Sequence, residues 1–403
     1  MHALTWHIEQ IEVLLAVAAV VAIVARRLHL PYTIGLVIAG IGLALLPFVP
    51  TIPLTQELLF TAFLPPLVFE AALDMRWSAL RADLPVILTL ATVGVLLSAS
   101  ITALGMRLLV QWEWGSAMVF GVLIAATDPV SVIATLKEVG VHGRLRILVE
   151  AESLFNDSTA AVLFGIALGA VTGGTMDVFS LVQTTVVTVV GGVGCGVSVA
   201  GAVLVLAGRT DDHLVEITCT TVAAYGSFLL AEHFHLSGVL ASLTAGLLVG
   251  NVGPLGSLSE KGREAVEDFW AYAAFVANSL IFLLIGIHEA HQRFAMVVVP
   301  ALAAIALVTL GRAMAIYPCC ALFVRTGLRV QRRHQHLLFW GGLRGALALA
   351  LALGLPPALP HRSALVTVAF AVVAFSVFVQ GLTMPTLLRW MGELPARRHT
   401  SKD

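Results

Sequence analysis

The sequence predicts an all-α polytopic membrane protein of about thirteen transmembrane helices, with inverted repeats and two interrupted crossing helices. Three observations lead there. Of 403 residues, 59% are hydrophobic and 12% are charged, against about 25% charged in a soluble domain. The chain divides at Pro, Gly and charge clusters into apolar runs close to the roughly 20 residues that a spanning helix needs. Two of those runs are broken in their middle by residues that do not continue a helix.

Taken in order, the runs lie at 9–25, 32–50, 54–73, 84–109, 115–136, 147–171, 178–207, 213–232, 236–251, 269–287, 295–324, 335–355 and 362–391. The first reads as a span rather than a signal peptide, because no basic region precedes it and Arg26-Arg27 follows it. The runs are continuous, not alternating, which excludes a transmembrane barrel. The connections are short, so residues 1–403 read as one transmembrane domain with no soluble domain. Lys+Arg is 23 and Asp+Glu is 24, which leaves no basic excess for nucleic acid.

Alternating spans sort the connections into two sides. All but five of the 23 Lys and Arg residues fall on one side. Arg107, Arg293 and Arg362 fall on the other, and Arg312 and Arg344 lie inside spans. The basic side is then cytoplasmic, which puts the N-terminus outside and the C-terminus inside a cell membrane. The cysteines Cys195, Cys219, Cys319 and Cys320 form no CxxC pair and read as small apolar residues. His288-Glu289-Ala290-His291 lacks the HExxH spacing of a helical zinc site and reads as an exposed polar connection. No motif for catalysis or nucleotide binding stands out, so the chain reads as no enzyme, with no organic cofactor.

Ionisable groups deep in spans are costly and point to function. The candidates are Glu70, Asp128, Glu152, Asp157, Arg312 and Arg344. Glu150, Glu216 and Glu232 lie nearer span ends, where headgroups or water are within reach. In the fifth span Thr127-Asp128-Pro129 breaks the helix, because proline removes a backbone donor and pushes the residue before it out of helical geometry. Freed carbonyls and a helix N-terminus follow, and Asp128 is placed to cap the latter. In the twelfth span Gly341, Gly342 and Gly345 loosen the chain around Arg344. The two broken spans are seven apart, so they run in opposite directions, as in transporters with inverted repeats.

The sixth span sorts its polar residues by helical geometry. Ser153 and Asp157 share one face at i, i+4. Glu152 and Asn156 share another, rotated by about 100°. The first face suits a cavity and the second an ion pair. In the third span Glu70 follows Pro66 by one turn. Carboxylates, a hydroxyl and freed carbonyls are ligands for a hard cation, and the absence of thiolate and imidazole disfavours a transition metal. Burial disfavours the charged form of a carboxylate, so a proton and a metal cation can compete for one group.

Four segments, VFEAALD at 68–74, TDPVSV at 127–132, ESLFNDSTA at 152–160 and GGLRGALALAL at 341–351, together resemble the monovalent cation:proton antiporters of the NhaP and sodium/proton exchanger type. The resemblance covers nearly the whole chain. It implies that Asp157, following Asn156, binds cation or proton in competition. Ser153, Glu70 and the carbonyl of Thr127 are then further Na⁺ ligands, and Asp128 neutralises helix ends at the crossover. It casts Glu152 in a structural ion pair, with Arg312 or, alternatively, Arg344 as partner.

It also implies a homodimer, with a dimerisation part including 9–50 and 178–251 beside a mobile core including 54–171 and 269–391. Electrogenic relatives carry two aspartates where this chain has Asn156-Asp157, which implies electroneutral exchange. Many relatives have a long cytoplasmic tail, and this chain ends shortly after its last span, so tail-based regulation is not expected. The expected activity is exchange of Na⁺ for H⁺, with Li⁺ or K⁺ open. A K⁺/H⁺ antiporter of the same superfamily is the alternative. A cation channel is a weaker one, since no filter-like loop is present.

Overall fold

Continuous apolar runs with few turn residues produce helices throughout. A computed structural model describes residues 2–28, 31–46, 54–128, 143–171, 173, 178–253 and 257–392, and among these there is no strand. The helices are α1 (His2–Leu28), α2 (Tyr32–Ala44), α3 (Leu64–Leu73), α4 (Trp77–Thr89), α5 (Val95–Leu109), α6 (Trp114–Leu123), α7 (Arg144–Val171) and α8 (Val178–Ala207). They continue as α9 (His213–His233), α10 (Gly238–Val252), α11 (Glu260–Ala290), α12 (Val298–Leu322), α13 (Arg332–Trp340), α14 (Ala346–Leu353), α15 (Arg362–Phe375) and α16 (Leu382–Trp390). Single π-helical stretches lead into α3 (Leu58–Phe63) and join α4 to α5 (Leu90–Gly94) and α15 to α16 (Ser376–Gly381). Among the described residues, seven helical units are long and apolar enough to cross a membrane: α4–α5, α7, α8 from Val182 on, α9, α11, α12 and α15–α16. The apolar helices α2, α6 and α10, and the unit Leu58–Leu73, are shorter.

Two bundles emerge from the packing. In the first, α2 lies along α11, α3 sits between α10 and α11, and α8, α9 and α10 pack on one another. In the second, α5 packs on α6 and α12, α7 on α4 and α6, and α15 on α12 and α14. The third and tenth spans, Leu58–Leu73 and Glu260–Ala290, thus pack with the first bundle. The expectation had grouped them with the core. Chain order gave no sign of this, because it follows from which apolar face finds which partner. Along α2 and α11 the fit is close: a Cβ on Gly40 would run into the carbonyl of Leu283 and come within 3.0 Å of Gly286 Cα. Small residues at such crossings let helix backbones approach.

Both expected breaks lie in the second bundle. α6 ends at Leu123, and residues 124–128 leave the helix. Pro129 and the rest of TDPVSV fall outside the described residues. The twelfth span divides into α13 and α14, with 342–345 non-helical between them.

Two expectations about polar span ends change. His288-Glu289-Ala290 is the last turn of α11, not an open connection, and Glu289 is 4% exposed. His288 Nδ1 is 3.0 Å from the Leu284 carbonyl, and its Nε2 accepts from Leu54 N at 3.3 Å. Glu232 is exposed, but Glu150 and Glu216 are buried. Glu216 accepts from Ser259 N (3.1 Å) and Oγ (3.3 Å) at the start of α11. Glu150 accepts from Arg146 Nε at 2.8 Å. Glu216 and Glu150 thus have protein donors in place of water.

Candidate cation site at the crossing of two broken helices

The end of α6 and the break before α14 meet. Asp128 N donates to the Leu343 carbonyl at 2.7 Å. Arg344 Nη1 donates to the carbonyls of Ala125 (2.7 Å) and Ala126 (3.0 Å), just past the end of α6. Those carbonyls form the negative end of a helix, and a buried guanidinium complements it. On the opposite strand of the crossing, the Asp128 carboxyl lies against Gly345, which precedes α14. A Cβ there would strike Asp128 Oδ2 and approach its Cγ to 2.6 Å. A carboxylate thus sits at a helix N-terminus and a guanidinium at a helix C-terminus. Gly345 is required because the two chains touch.

Beside this crossing lies a cavity of about 240 Å³. The second bundle contributes Thr127 and Asp128 from the break, Asp157 from α7, and 345–348 from the start of α14. The first bundle contributes Glu70 from α3 and a stripe of α11 that includes Asn278. The cavity therefore opens between the bundles. Asp157 is 9% exposed, and its Oδ1 is buried with no hydrogen-bond partner among the described residues. A buried acceptor without a partner is costly, which sets this carboxyl apart from the other acids of the site.

The remaining candidates lie behind the wall. Ser153 does not line the cavity; its Oγ accepts from Thr127 Oγ1 at 3.3 Å. Asn156 is buried and donates from Nδ2 to Glu152 Oε1 at 3.2 Å. Glu152 and Arg312 form a two-pronged pair, Nη1 to Oε1 at 2.7 Å and Nη2 to Oε2 at 2.9 Å. Arg312 Nη2 also donates to the Leu338 carbonyl at 2.9 Å. In this geometry Glu152 pairs with Arg312, while Arg344 is spent on the α6 carbonyls. Asn278 was not expected from sequence, where it is one amide in a long apolar helix. Its i, i+3, i+4 relation to alanines and a phenylalanine was the only signal.

A helix that ends in mid-span against the interruption of a second, beside a carboxylate-lined cavity within a polytopic bundle, defines a secondary transporter of the interrupted-helix type. The chain belongs to the sodium/hydrogen exchanger family: the family model described as "Sodium/hydrogen exchanger, transmembrane" matches residues 14–390. Among similar proteins is a Na(+)/H(+) antiporter, ApNhaP, of Aphanothece halophytica. It is 37% identical over 402 residues, covering 97% of this chain and 76% of that protein. The Na(+)/H(+) antiporter NhaH of Halobacillus aidingensis is 33% identical, covering 95% of this chain and 97% of that protein. The fold matches that of the sodium proton antiporter MjNhaP1 from Methanocaldococcus jannaschii at pH 8. The TM-score is 0.76 at 21% identity, over 96% of this chain and 99% of that one.

Proposed function

We propose that this protein exchanges Na⁺ for H⁺ across a cell membrane by alternating access, one proton per cation. The observation that carries the reading is Asp157, a buried carboxyl with one unpartnered oxygen, lining a cavity shared with Glu70, Thr127 and Asp128. Membership of the family and relatives named Na(+)/H(+) antiporters support it.

In this mechanism a cation entering the cavity is met by the Asp157 carboxylate, the Glu70 carboxylate and the Thr127 carbonyl. Hard cations take oxygen ligands such as these. Ser153 acts one step back, holding the Thr127 side chain. Departure of the cation leaves a carboxylate poorly supplied with donors, and a proton replaces it. The two states of Asp157 are exclusive, which couples the fluxes. Asp128 and Arg344 stabilise the crossover and do not carry the ion.

The second bundle moves against the first, and the Glu152–Arg312 pair keeps α7 and α12 together as it does so. The chain crosses the membrane about thirteen times, with the N-terminus outside and the C-terminus in the cytoplasm, and works as a homodimer through the first bundle. The test is transport by the purified protein in liposomes with an internal pH dye. Na⁺ added outside should make the interior alkaline, and K⁺ should do so weakly or not at all. Equal signals with K⁺ would contradict the Na⁺ assignment.

A further inference from the structure

We propose that Asn278 is a cation ligand supplied by the first bundle, so that its amide oxygen completes the shell around the ion on one side of the membrane only. The inference rests on the antiporter reading above and goes beyond it by naming a residue that sets affinity on one side.

The argument begins with the face of α11. Ala271, Ala274, Phe275 and Asn278 follow i, i+3, i+4, i+7 spacing and together line the cavity. Asn278 is the one side chain of this stripe able to accept or donate a hydrogen bond. The rotation of α11 is held by α2 at the edge of this stripe. Tyr32 shares a 2.7 Å hydrogen bond with Ser279, and its ring stacks on Phe275 with centroids 5.4 Å apart. Asn278 is thereby turned toward the cavity by its immediate neighbours.

Its amide makes no hydrogen bond to any described residue. It is half-buried and lines the cavity, so its amide is available to what the cavity holds. Across the cavity lies Asp157 with its unpartnered oxygen. A neutral amide oxygen adds a hard ligand without adding a further negative charge to a site that already has three carboxylates. One turn further along α11, Ile281 meets Leu64, Leu67 and Leu347 around an apolar gap of about 10 Å³.

Sidedness follows from the packing. Asn278 belongs to the bundle of α2, α3 and α10, whereas Thr127 and Asp157 belong to the other. Relative movement of the bundles carries the ion away from Asn278. The ligand therefore serves the side to which this cavity opens.

The experiment compares wild type and Asn278→Ala in vesicles holding the protein in each of its two orientations. Na⁺-driven proton movement is measured over a range of Na⁺ concentrations. The apparent KM for Na⁺ should rise about tenfold from one face, the size expected for one lost contact to a charge. It should change by less than about twofold from the other, with the maximal rate kept. Asn278→Asp, which retains an oxygen ligand, should restore the lower KM. An unchanged KM from both faces in Asn278→Ala, with transport intact, overturns this inference alone. So does an equal rise from both faces. If Asn278→Ala does not fold, Asn278→Leu, of similar shape and without an oxygen, gives the same comparison. A wild-type protein that moves no protons with Na⁺ overturns the antiporter reading and this inference with it.

Discussion

Removing one partner of the Glu152–Arg312 pair should cost far more than removing both. The side chains are 1% and 7% exposed, so neither survivor has water to turn to. Glu152→Gln keeps the shape but sets an amide against a guanidinium that still carries its charge. Breaking a buried pair this way costs about 3–5 kcal/mol. Arg312→Met leaves the Glu152 carboxylate with the Asn156 amide as donor, and a loss of similar size is expected.

In the double variant no buried charge is stranded. What remains is the Leu338 carbonyl, which loses the Arg312 Nη2 donor held at 2.9 Å, at about 1–3 kcal/mol. The double variant should therefore be more stable than either single one. The assay is unfolding by SDS in mixed micelles, followed by tryptophan fluorescence, run as a double-mutant cycle. If the double variant loses about the sum of the two single losses, the pair is not a coupled unit and the reasoning fails. If Glu152→Gln is fully stable and inactive, Glu152 belongs in the transport site.

Three further outcomes follow from the same geometry. Gly345→Ala should lower both stability and transport, because its Cβ would collide with the Asp128 carboxyl; a variant with wild-type melting would show that the crossing is looser than described. Glu70→Ala and Ser153→Ala should raise the apparent KM for Na⁺, the former more, since Glu70 lines the cavity and Ser153 acts through Thr127. A wild-type KM in both would remove them from the site. Transport should be electroneutral: clamping the potential with valinomycin and K⁺ should leave the Na⁺-driven pH signal unchanged, whereas a steady current on a solid-supported membrane would require a second titrating group.

Much of this arrangement was legible in the residues. Arg344 flanked by Gly341, Gly342 and Gly345 marked the break between α13 and α14, because glycines at membrane depth are a local signal. The face shared by Ser153 and Asp157 followed from the helical period, yet only Asp157 reaches the cavity. The hydroxyl of Ser153 is taken by Thr127, a residue 26 positions away. The choice between Arg312 and Arg344 for Glu152 was equally out of reach, since both are buried arginines and only the approach of α12 to α7 separates them. Asn278 and the membership of α3 and α11 in the first bundle depend on which helix faces meet. Periodicity describes one helix at a time and does not choose its partner.

The central claim is that Asp157 alone exchanges a cation for a proton. Its most direct test is Asp157→Asn in liposomes with an internal pH dye, alongside wild type of matched elution profile and melting behaviour. An amide can hydrogen-bond in the same place but cannot take up and release the proton. The account predicts interior alkalinisation on adding Na⁺ to wild-type vesicles and none in the folded Asp157→Asn variant. Na⁺-driven proton movement at the wild-type rate in that variant would contradict it.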